Sequence, residues 1–236
     1  MKFLLTNDDG INAGGLVRLA RIAKKYGDVW VVAPDSQRSG VSHSVTIRHE
    51  FHVWKVDFPV EGVEAYACNA QPTDCVRVGV LNIVPGKPDF LLSGINNGYN
   101  VGSDIQYSAT CGAALEGAFQ GIQSIAFSEG NEMMHEVTDK YIEDILVDVM
   151  KKPLSKRQIW NINFPNCPLS ECKGILENVV VSTDEFYKDG YTQEEYADGK
   201  IEFMVDGKRN WSASKGTDLY GVIHDQVTVG IVNNIS

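Results

Sequence analysis

The sequence predicts an α/β fold whose sheet is mainly parallel. In the first half of the chain, short apolar runs typical of strands alternate with stretches of helical periodicity, and each run ends in Gly, Asn, Asp or Pro. This alternation is the pattern of a parallel sheet. In addition, 236 residues with a hydrophobic share of 43% are enough for one domain with a large buried core, with or without an appended piece.

The elements of the first half follow from these runs in order. Residues 2–6 (KFLLT) form a short apolar strand that ends at the turn Asn7-Asp8-Asp9-Gly10. Residues 13–26 place apolar side chains at spacings of three and four, which indicates an amphipathic helix. The remaining predictions for this half are a strand at 28–33, a polar loop at 35–44, strands at 45–56 and 63–68, a helix at 72–82, and a strand at 89–93 that enters a Gly/Asn-rich loop at 94–102.

The second half begins in the same way and then changes character. The predicted elements are a helix at 110–120, a strand at 124–128, a helix at 134–151 and a strand at 159–164. From about residue 167 to 223 the chain is polar, charged and aromatic, and three Asp-Gly pairs signal turns. The run IEFMV among these turns predicts a β-hairpin arm, which either serves oligomerisation or folds back on its own core. Alternating Val227, Val229 and Ile231 predict a final strand.

Composition and charge exclude several classes of function. Lys and Arg number 21 against 31 Asp and Glu, a net charge of −10, which argues against binding a nucleic acid polymer through a basic face. No apolar run approaches the roughly 18 residues of a membrane span, and the N-terminus lacks the apolar stretch of a signal peptide. We therefore expect a cytoplasmic protein without a membrane partner. Five scattered cysteines without a Cys-x-x-Cys pair indicate neither a disulfide framework nor a thiolate zinc site.

Polar side chains follow three of the predicted strands where those strands end. Asp8 and Asp9 follow the first strand, Ser39 lies in the loop after the second, and Asn96 and Asn97 come after the strand at 89–93. In a parallel sheet these ends converge on one crevice. Two close carboxylates need a cation, and oxygen ligands without His or Cys favour Mg²⁺, Mn²⁺ or Ca²⁺ over zinc. The alternative for the two carboxylates is a turn followed by a helix N-cap.

A phosphate can be bound at the start of the predicted helix 110–120. Ser108-Ala109-Thr110 comes just before that helix, where free N–H groups and the helix dipole favour an anion. Ordinary N-capping is the alternative for either hydroxyl. The first strand lacks a Gly-x-Gly-x-x-Gly fingerprint and the chain has no P-loop, so neither motif supports NAD or P-loop nucleotide binding. No Gly-x-Ser-x-Gly elbow occurs.

The histidines and one arginine give weaker signals. His49 and His52 are three residues apart in a predicted strand, which puts them on opposite faces rather than on one metal. Arg38 beside Ser39 is either a positive group near the site or a solvated loop residue. The remaining histidines, which have no suitable partner in sequence, are interpreted as surface or capping residues: His43, His135 and His224.

Five motifs run in one order from residue 3 to about 232: LLTNDDGINAGGL, APDSQRSGVSHSVT, DFLLSGINNGYNVGSDIQYSATCGAALEG, NINFP and KGTDLYGVIHDQVTVGIV. Together they resemble the SurE family, the survival protein family of metal-dependent phosphatases. The resemblance implies a Rossmann-like three-layer sandwich at 1–166. It also implies a projecting β-hairpin arm and a swapped C-terminal segment at 167–236, which is not an independent domain and builds homodimers or homotetramers.

The resemblance further implies a site and an activity. One divalent ion per subunit, Mg²⁺ or Mn²⁺ with Ca²⁺ also suitable, would be held by four side chains: Asp8, Asp9, Ser39 and Asn96. The side chains that would contact phosphate are Asn96, Asn100, Ser108 and Thr110. The reaction would be hydrolysis of nucleoside 5′- and 3′-monophosphates to nucleoside and phosphate, and some relatives also act on short polyphosphate. Asp8 and Asp9 would be catalytic. Our hypothesis is that Asp8 is the principal ligand and that Asp9 is a ligand that also handles a proton, a division of roles that the sequence itself does not make.

The chain departs from the SurE sequence pattern at two places, and two other functions are alternatives to a phosphatase. The family usually has Ser-Gly-Thr where this chain has Ala109 in the middle, and its usual C-terminal proline is missing from VTVGIV. The arm between 183 and 215 matches weakly. A sensor that binds metal and nucleotide without turnover is the main alternative. An oxidoreductase is a further alternative, against which the missing glycine fingerprint counts.

Overall fold

The computed structural model describes residues 1–131 and 134–234. The strands that it contains, in chain order, are β1 (Lys2–Thr6), β2 (Asp28–Pro34), β3 (Val53–Val56), β4 (Val63–Cys68), β5 (Phe90–Asn97), β6 (Gln123–Glu129), β7 (Gln158–Phe164), β8 (Ile175–Val179), β9 (Tyr187–Lys188), β10 (Tyr191–Glu195), β11 (Ile201–Val205), β12 (Lys208–Arg209) and β13 (Val227–Asn233). The α-helices are α1 (Gly14–Lys24), α2 (Pro72–Val78), α3 (Ala109–Phe119), α4 (Glu136–Val149) and α5 (Asp218–Ile223). None of the helices in the described residues is long and apolar enough to cross a membrane.

Within the described residues, nine strands form one central sheet in the order β3-β4-β2-β1-β5-β6-β7-β13-β8. The pairs from β4 through β7 are all parallel. Strand β3 runs antiparallel to β4, β13 runs antiparallel to β7, and β8 runs parallel to β13. The predicted α/β class with a mainly parallel sheet is therefore confirmed. The six strands from β4 to β7 have the order of a Rossmann fold, in which the chain progression reverses between β1 and β5.

Helices cover both faces of this sheet and make three layers. Phe3 and Leu5 of β1 belong to one buried cluster with α1 and α4, while the intervening Leu4 belongs to another with α2 and α3. Successive side chains of a strand point to opposite faces, so β1 needs apolar residues at each central position to be buried on both sides. Phe3, Leu4 and Leu5 supply them.

Three predicted elements have different limits in the structure. The strand predicted at 45–56 is a strand only from Val53, which pairs with Cys68 at the end of β4. The Thr46 N–H instead donates to both carboxylate oxygens of Asp74 in α2, at 3.1 and 3.0 Å. The helix predicted at 72–82 continues beyond α2 as a π-helical turn, Gly79–Ile83. The loop predicted at 94–102 begins late, since β5 continues to Asn97 with a register shift between Ser93 and Asn96.

The second half of the chain contains the predicted arm. Strands β10 and β11 pair antiparallel, and all ten of their residues are exposed. Phe203 is 57% exposed and Val205 is 70% exposed, so the interpretation of a hairpin folded back on its own core is wrong. Below the hairpin, β9 and β12 pair as a second small ribbon. Phe186 next to this ribbon is only 2% exposed and packs with Val101 and Leu219, which anchors the base of the arm.

The C-terminal segment returns to the central sheet. The predicted strand at 227–231 is confirmed as β13, which lies between β7 and β8 of its own chain. Strand β8 and helix α5 have no counterpart among the predicted elements. Residues 167–236 thus contribute two strands to the sheet that begins in residues 1–166, and a boundary at 166 stays a prediction.

Candidate active site

The site lies where the order of the parallel strands reverses, between β1 and β5. Thr6 of β1 is the register partner of Ser93 of β5, so the residues that follow these two strands meet at the same edge. The Asn97 N–H donates to Asp9 Oδ2 at 3.1 Å, and the Arg38 N–H donates to the Asp8 carbonyl oxygen at 2.7 Å. The structure therefore brings together the three strand ends that the sequence predicts to converge.

A buried asparagine shapes the turn that carries the two carboxylates. The Asn7 side chain accepts a hydrogen bond from the Gly10 N–H at 3.2 Å and donates one to the Gly10 carbonyl at 3.0 Å. Gly10 has a φ of +102°, a conformation that glycine adopts without steric cost. Sequence reasoning missed Asn7, although Asn commonly bonds its own backbone at a turn.

The side chain of Asp8 is held in place by a hydrogen bond from α3. It is 4% exposed, and the Thr110 hydroxyl donates to its Oδ1 at 2.5 Å. Burial raises the pKa of Asp8 to about 6; the hydrogen bond from Thr110 opposes this rise and the negative charge of Asp9 adds to it. A nearby cation would favour the charged form again. Thr110 itself is fully buried, and its predicted contact with phosphate stays a prediction.

Asp9, the neighbour of Asp8 in the same turn, is half-buried. Burial raises the pKa of Asp9, while hydrogen bonds from the Asn97 N–H and the Gln37 side chain oppose the rise. The two neighbouring carboxylates are thus both partly desolvated, which is unfavourable for two negative charges unless a cation compensates them.

A cavity of about 490 Å³ opens over this turn. Five of the predicted site residues line it: Asp8, Ser39, Asn96, Asn100 and Ser108. Asp9 and Thr110 are not part of its lining. Asn97, which the sequence places with Asn96 at the end of the same strand, also lines it. The other lining residues, which the sequence did not single out, are Gly40, Tyr99, Ser103, Asp104, Tyr107, Glu185, Tyr187 and Asp189. The volume falls within the range of roughly 300–1,000 Å³ that is typical of small-molecule sites.

Asn100 is fixed by three buried polar residues on neighbouring strands. Its N–H donates to Asn163 Oδ1 at 2.8 Å, and its Nδ2 donates to Ser128 Oγ at 2.8 Å. Its carbonyl oxygen accepts from the side chains of Asn161 and Asn163 at 2.9 and 3.1 Å. Two asparagines at alternate positions of an apolar strand share a face and need partners when buried, and this signal could have identified them.

Ser108 caps the helix whose N-terminus faces the cavity. Its Oγ accepts a hydrogen bond from the Cys111 N–H at 3.0 Å. The N-cap interpretation is therefore confirmed, and it is compatible with anion binding because further N–H groups of the first turn have no partner within the helix.

The donor set fits a hard divalent cation. Among the described residues, no three His, Cys, Asp or Glu side chains are grouped closely enough to hold a metal ion. A cation at Asp8 and Asp9 would therefore need neutral oxygen ligands as well. The Asn96 Nδ2 donates to the Gly98 carbonyl at 2.8 Å, which leaves the side-chain oxygen of Asn96 as the atom available to a ligand. Carboxylate, amide and hydroxyl oxygens suit Mg²⁺, Mn²⁺ and Ca²⁺.

The basic residues considered in the sequence lie outside the cavity lining. The Arg38 guanidinium is 3.2 Å from the Asp35 carboxylate. His43 Nε2 is 3.0 Å from Glu116 Oε2, and His224 stacks on Tyr220 with the ring centroids 4.0 Å apart. None of these side chains contributes a positive charge to the lining.

Comparison with known proteins decides the family. The family described as Survival protein SurE matches residues 3–187. The chain belongs to the SurE family. Among SurE relatives, a protein named 5′-nucleotidase SurE from Clostridium botulinum (strain Kyoto / Type A2) is 37% identical over 233 residues, which cover 97% of this chain and 91% of the relative. A 5′-nucleotidase SurE from Mesorhizobium japonicum is also 37% identical, over 97% of this chain and 92% of its own.

A solved SurE structure shares the fold. The crystal structure of the SurE protein from Aquifex aeolicus superposes with a TM-score of 0.84 at 35% sequence identity and covers 100% of this chain and 94% of that one. The similarity to this structure therefore extends beyond residues 3–187, which the family model matches, to the rest of the chain.

Proposed function

We propose that this SurE protein is a divalent-metal-dependent phosphomonoesterase that hydrolyses nucleoside 5′-monophosphates to nucleoside and phosphate. The observation that carries the proposal is the turn with the adjacent carboxylates Asp8 and Asp9, of which Asp8 lines a cavity that is also lined by Ser108, the N-cap of α3. The names of the relatives from Clostridium botulinum and Mesorhizobium japonicum support the same activity. The family resemblance adds 3′-nucleotides and short polyphosphate as further candidate substrates.

Four side chains would hold the divalent ion, one per subunit: Asp8, Asp9, Ser39 and Asn96. Mg²⁺ and Mn²⁺ suit these oxygen ligands, and Ca²⁺ is also compatible with them. When bound, such an ion polarises a phosphoryl oxygen and lowers the pKa of a bound water. Its positive charge would also stabilise the two partly desolvated carboxylates.

The remaining residues would bind the phosphate and handle protons. The hydroxyl of Ser108 and free N–H groups at the start of α3 would donate to phosphate oxygens, with Asn96, Asn100 and Thr110 completing the predicted contacts. Water attacks phosphorus, the bond from phosphorus to the ester oxygen breaks, and the leaving oxygen takes up a proton. Asp9, less buried than Asp8, is proposed to handle one of these protons.

Substitution of the two carboxylates tests the proposal. We expect Asp8→Ala and Asp9→Asn to abolish release of phosphate from AMP and from p-nitrophenyl phosphate in Mg²⁺ or Mn²⁺, with the fold unchanged by circular dichroism. Asp57→Asn, at an exposed residue outside the cavity, is the matched control and should retain full activity. Undiminished turnover in either variant, or full activity in excess EDTA, would refute the proposal. Binding of AMP without phosphate release would instead favour the sensor function.

The exposed arm supports a proposal about assembly. We propose that the apolar residues of β10 and β11 are buried between subunits of a homodimer or homotetramer, and that the protein is cytoplasmic. Phe203 is 57% exposed and Met204 is 66% exposed in the single chain, and exposed apolar patches commonly mark interfaces. Light scattering should show an oligomer that Phe203→Ser weakens. A wild-type monomer at micromolar concentration would contradict the proposal.

A further inference from the structure

Strand β7 carries two amide side chains in the middle of the central sheet. In its sequence QIWNINF, Asn161 and Asn163 are separated by Ile162, so the two amides share one face of the sheet. Asn163 is fully buried and Asn161 is 4% exposed. Burying an amide is unfavourable unless its polar atoms find partners, and an apolar side chain of similar size would avoid this cost. The two asparagines therefore need an explanation other than packing.

Both asparagines bind the backbone of Asn100. The Asn163 side chain binds it at two atoms, since its Oδ1 accepts from the Asn100 N–H at 2.8 Å and its Nδ2 donates to the Asn100 carbonyl oxygen at 3.1 Å. The Asn161 Nδ2 donates to the same carbonyl oxygen at 2.9 Å. The side-chain oxygen of Asn161 accepts from Cys111 Sγ at 3.6 Å. Every polar atom of the two amides thus has a partner.

These bonds reach two elements of the cavity. Asn100 lines the cavity from the loop after β5, and Ser108 lines it from the N-terminus of α3. Cys111 lies in the first turn of α3, and its N–H donates to Ser108 Oγ at 3.0 Å. Asn161 therefore bonds to Asn100 directly and to α3 through Cys111. Strand β7 holds the two elements in one fixed relation.

The side chain of Asn100 keeps a donor for a ligand. Its Nδ2 carries two hydrogens, of which one is donated to Ser128 Oγ at 2.8 Å. Ser128 is fully buried and is the register partner of Asn163 on β6. Asn100 is thus held at its N–H, its carbonyl oxygen and its Nδ2, and the second hydrogen of Nδ2 can reach a phosphate oxygen. A contact group that is already oriented saves the cost of ordering it on binding.

We infer that Asn163 and Asn161 are positioning residues of the phosphate site, which hold Asn100 at the distance from the start of α3 at which one phosphate contacts both. The inference rests on the proposed phosphatase function and on the proposed contact of Asn100 with phosphate. Neither Asn161 nor Asn163 lines the cavity, so both act through Asn100.

The test is a double-mutant cycle between Asn163 and Asn100, read as the inhibition constant of inorganic phosphate in AMP hydrolysis with Mn²⁺. Asn163→Leu should raise this constant and lower kcat/KM about 10- to 100-fold, the scale on which residues that orient contact groups contribute. Asn100→Ala should have an effect of the same size. With both substitutions the constant should be no higher than in Asn100→Ala alone, because Asn163 acts through the Asn100 side chain. The Mn²⁺ concentration for half-maximal activity should not change, because neither residue is a proposed metal ligand.

Thr228→Val is the matched control. Thr228 is the register partner of Asn163 on β13, is fully buried and lies outside the cavity lining. The substitution removes a buried polar group from the same region of the sheet, and it should leave the inhibition constant of phosphate at the wild-type value. Tm is measured for every variant, and the assays are run below the lowest Tm, so that lost stability does not enter the constants.

The outcomes separate this inference from the proposed function. An unchanged inhibition constant in Asn163→Leu, or effects of the two substitutions that simply multiply, would overturn the inference and leave the phosphatase function standing. If Asn163→Leu does not fold, Asn161→Leu enters the same cycle with the same deciding outcomes, since it keeps both bonds from Asn163. If the wild type releases no phosphate from AMP, the phosphatase function is wrong. The cycle is then read as the dissociation constant of inorganic phosphate by calorimetry, and a wild type that does not bind phosphate overturns the inference as well.

Discussion

The hydrogen bond from Thr110 to Asp8 can be tested with two substitutions that remove different parts of one side chain. Thr110→Val keeps the shape and replaces the hydroxyl with a methyl group. Thr110→Ser keeps the hydroxyl and removes the methyl group. Thr110 is fully buried and its only described side-chain hydrogen bond goes to Asp8 Oδ1 at 2.5 Å, so the two variants separate the hydrogen bond from the packing.

We expect Thr110→Val to lose more stability than Thr110→Ser. A hydrogen bond to a charged group contributes about 1.5–3 kcal/mol, and its loss leaves a buried carboxylate oxygen without a donor. At roughly 2–4 °C per kcal/mol for a chain of this size, Thr110→Val should lower Tm by about 3–12 °C. Thr110→Ser loses one buried methyl, about 1 kcal/mol with its small cavity, and should lower Tm by about 2–4 °C.

Activity should follow the same order. Residues that orient a metal ligand typically contribute about 10- to 100-fold to metal affinity or activity, so Thr110→Val should reduce kcat/KM for AMP by that factor, with Thr110→Ser close to the wild type. Thermal unfolding in EDTA and steady-state phosphate release measure the two effects. A serine variant that is less stable and less active than the valine variant would refute the reasoning, because Thr110 would then act only through its methyl group.

Two further predictions concern packing and pH. Gly15→Ala should lower Tm and phosphate release together, because a Cβ at this position would lie 2.1 Å from the Ile95 carbonyl oxygen of β5; Gly14→Ala, whose Cβ has no neighbour within 4 Å, is the control and should be nearly neutral. Glu116→Gln should be less stable than the wild type at pH 7. Burial alone would raise the pKa of Glu116, but hydrogen bonds from His43 and Gln120 outweigh it and lower the pKa below 4.5. The wild type should therefore have a larger free energy of unfolding than Glu116→Gln above pH 4.5, and this difference should shrink as the pH falls through the pKa of Glu116 in the folded protein. A difference that stays constant from pH 7 to pH 3 in denaturant titrations would contradict this.

The sheet and the metal-binding edge could be predicted because the responsible signals are local. Strand β1 is apolar at each central position, and its end is marked by Asp8, Asp9 and Gly10. The ends of parallel strands converge whatever the sequence between them, so Ser39 and Asn96 could be placed beside Asp8 without knowledge of any contact.

The outer half of the cavity could not be predicted in this way. Glu185 and Asp189 lie in a charged, weakly patterned segment, and their position depends on the packing of Phe186 and the hydrogen bonds to Asp104. These are long-range contacts, which periodicity does not encode. The strand predicted at 45–56 is shorter for a related reason, since Val53 pairs with Cys68 at the end of β4 and the Thr46 N–H donates to the buried acid Asp74 instead.

The position of β13 has a consequence for how the chain is made. This strand lies inside the sheet, and β8 joins the sheet through it. During synthesis the edge of β7 therefore stays open until residues 227–233 have left the ribosome, well after the whole arm has been made. Non-local strand pairing of this kind is slow, and an exposed strand edge promotes aggregation. Nascent chains stalled before residue 227 should accordingly bind chaperones more strongly than full-length chains.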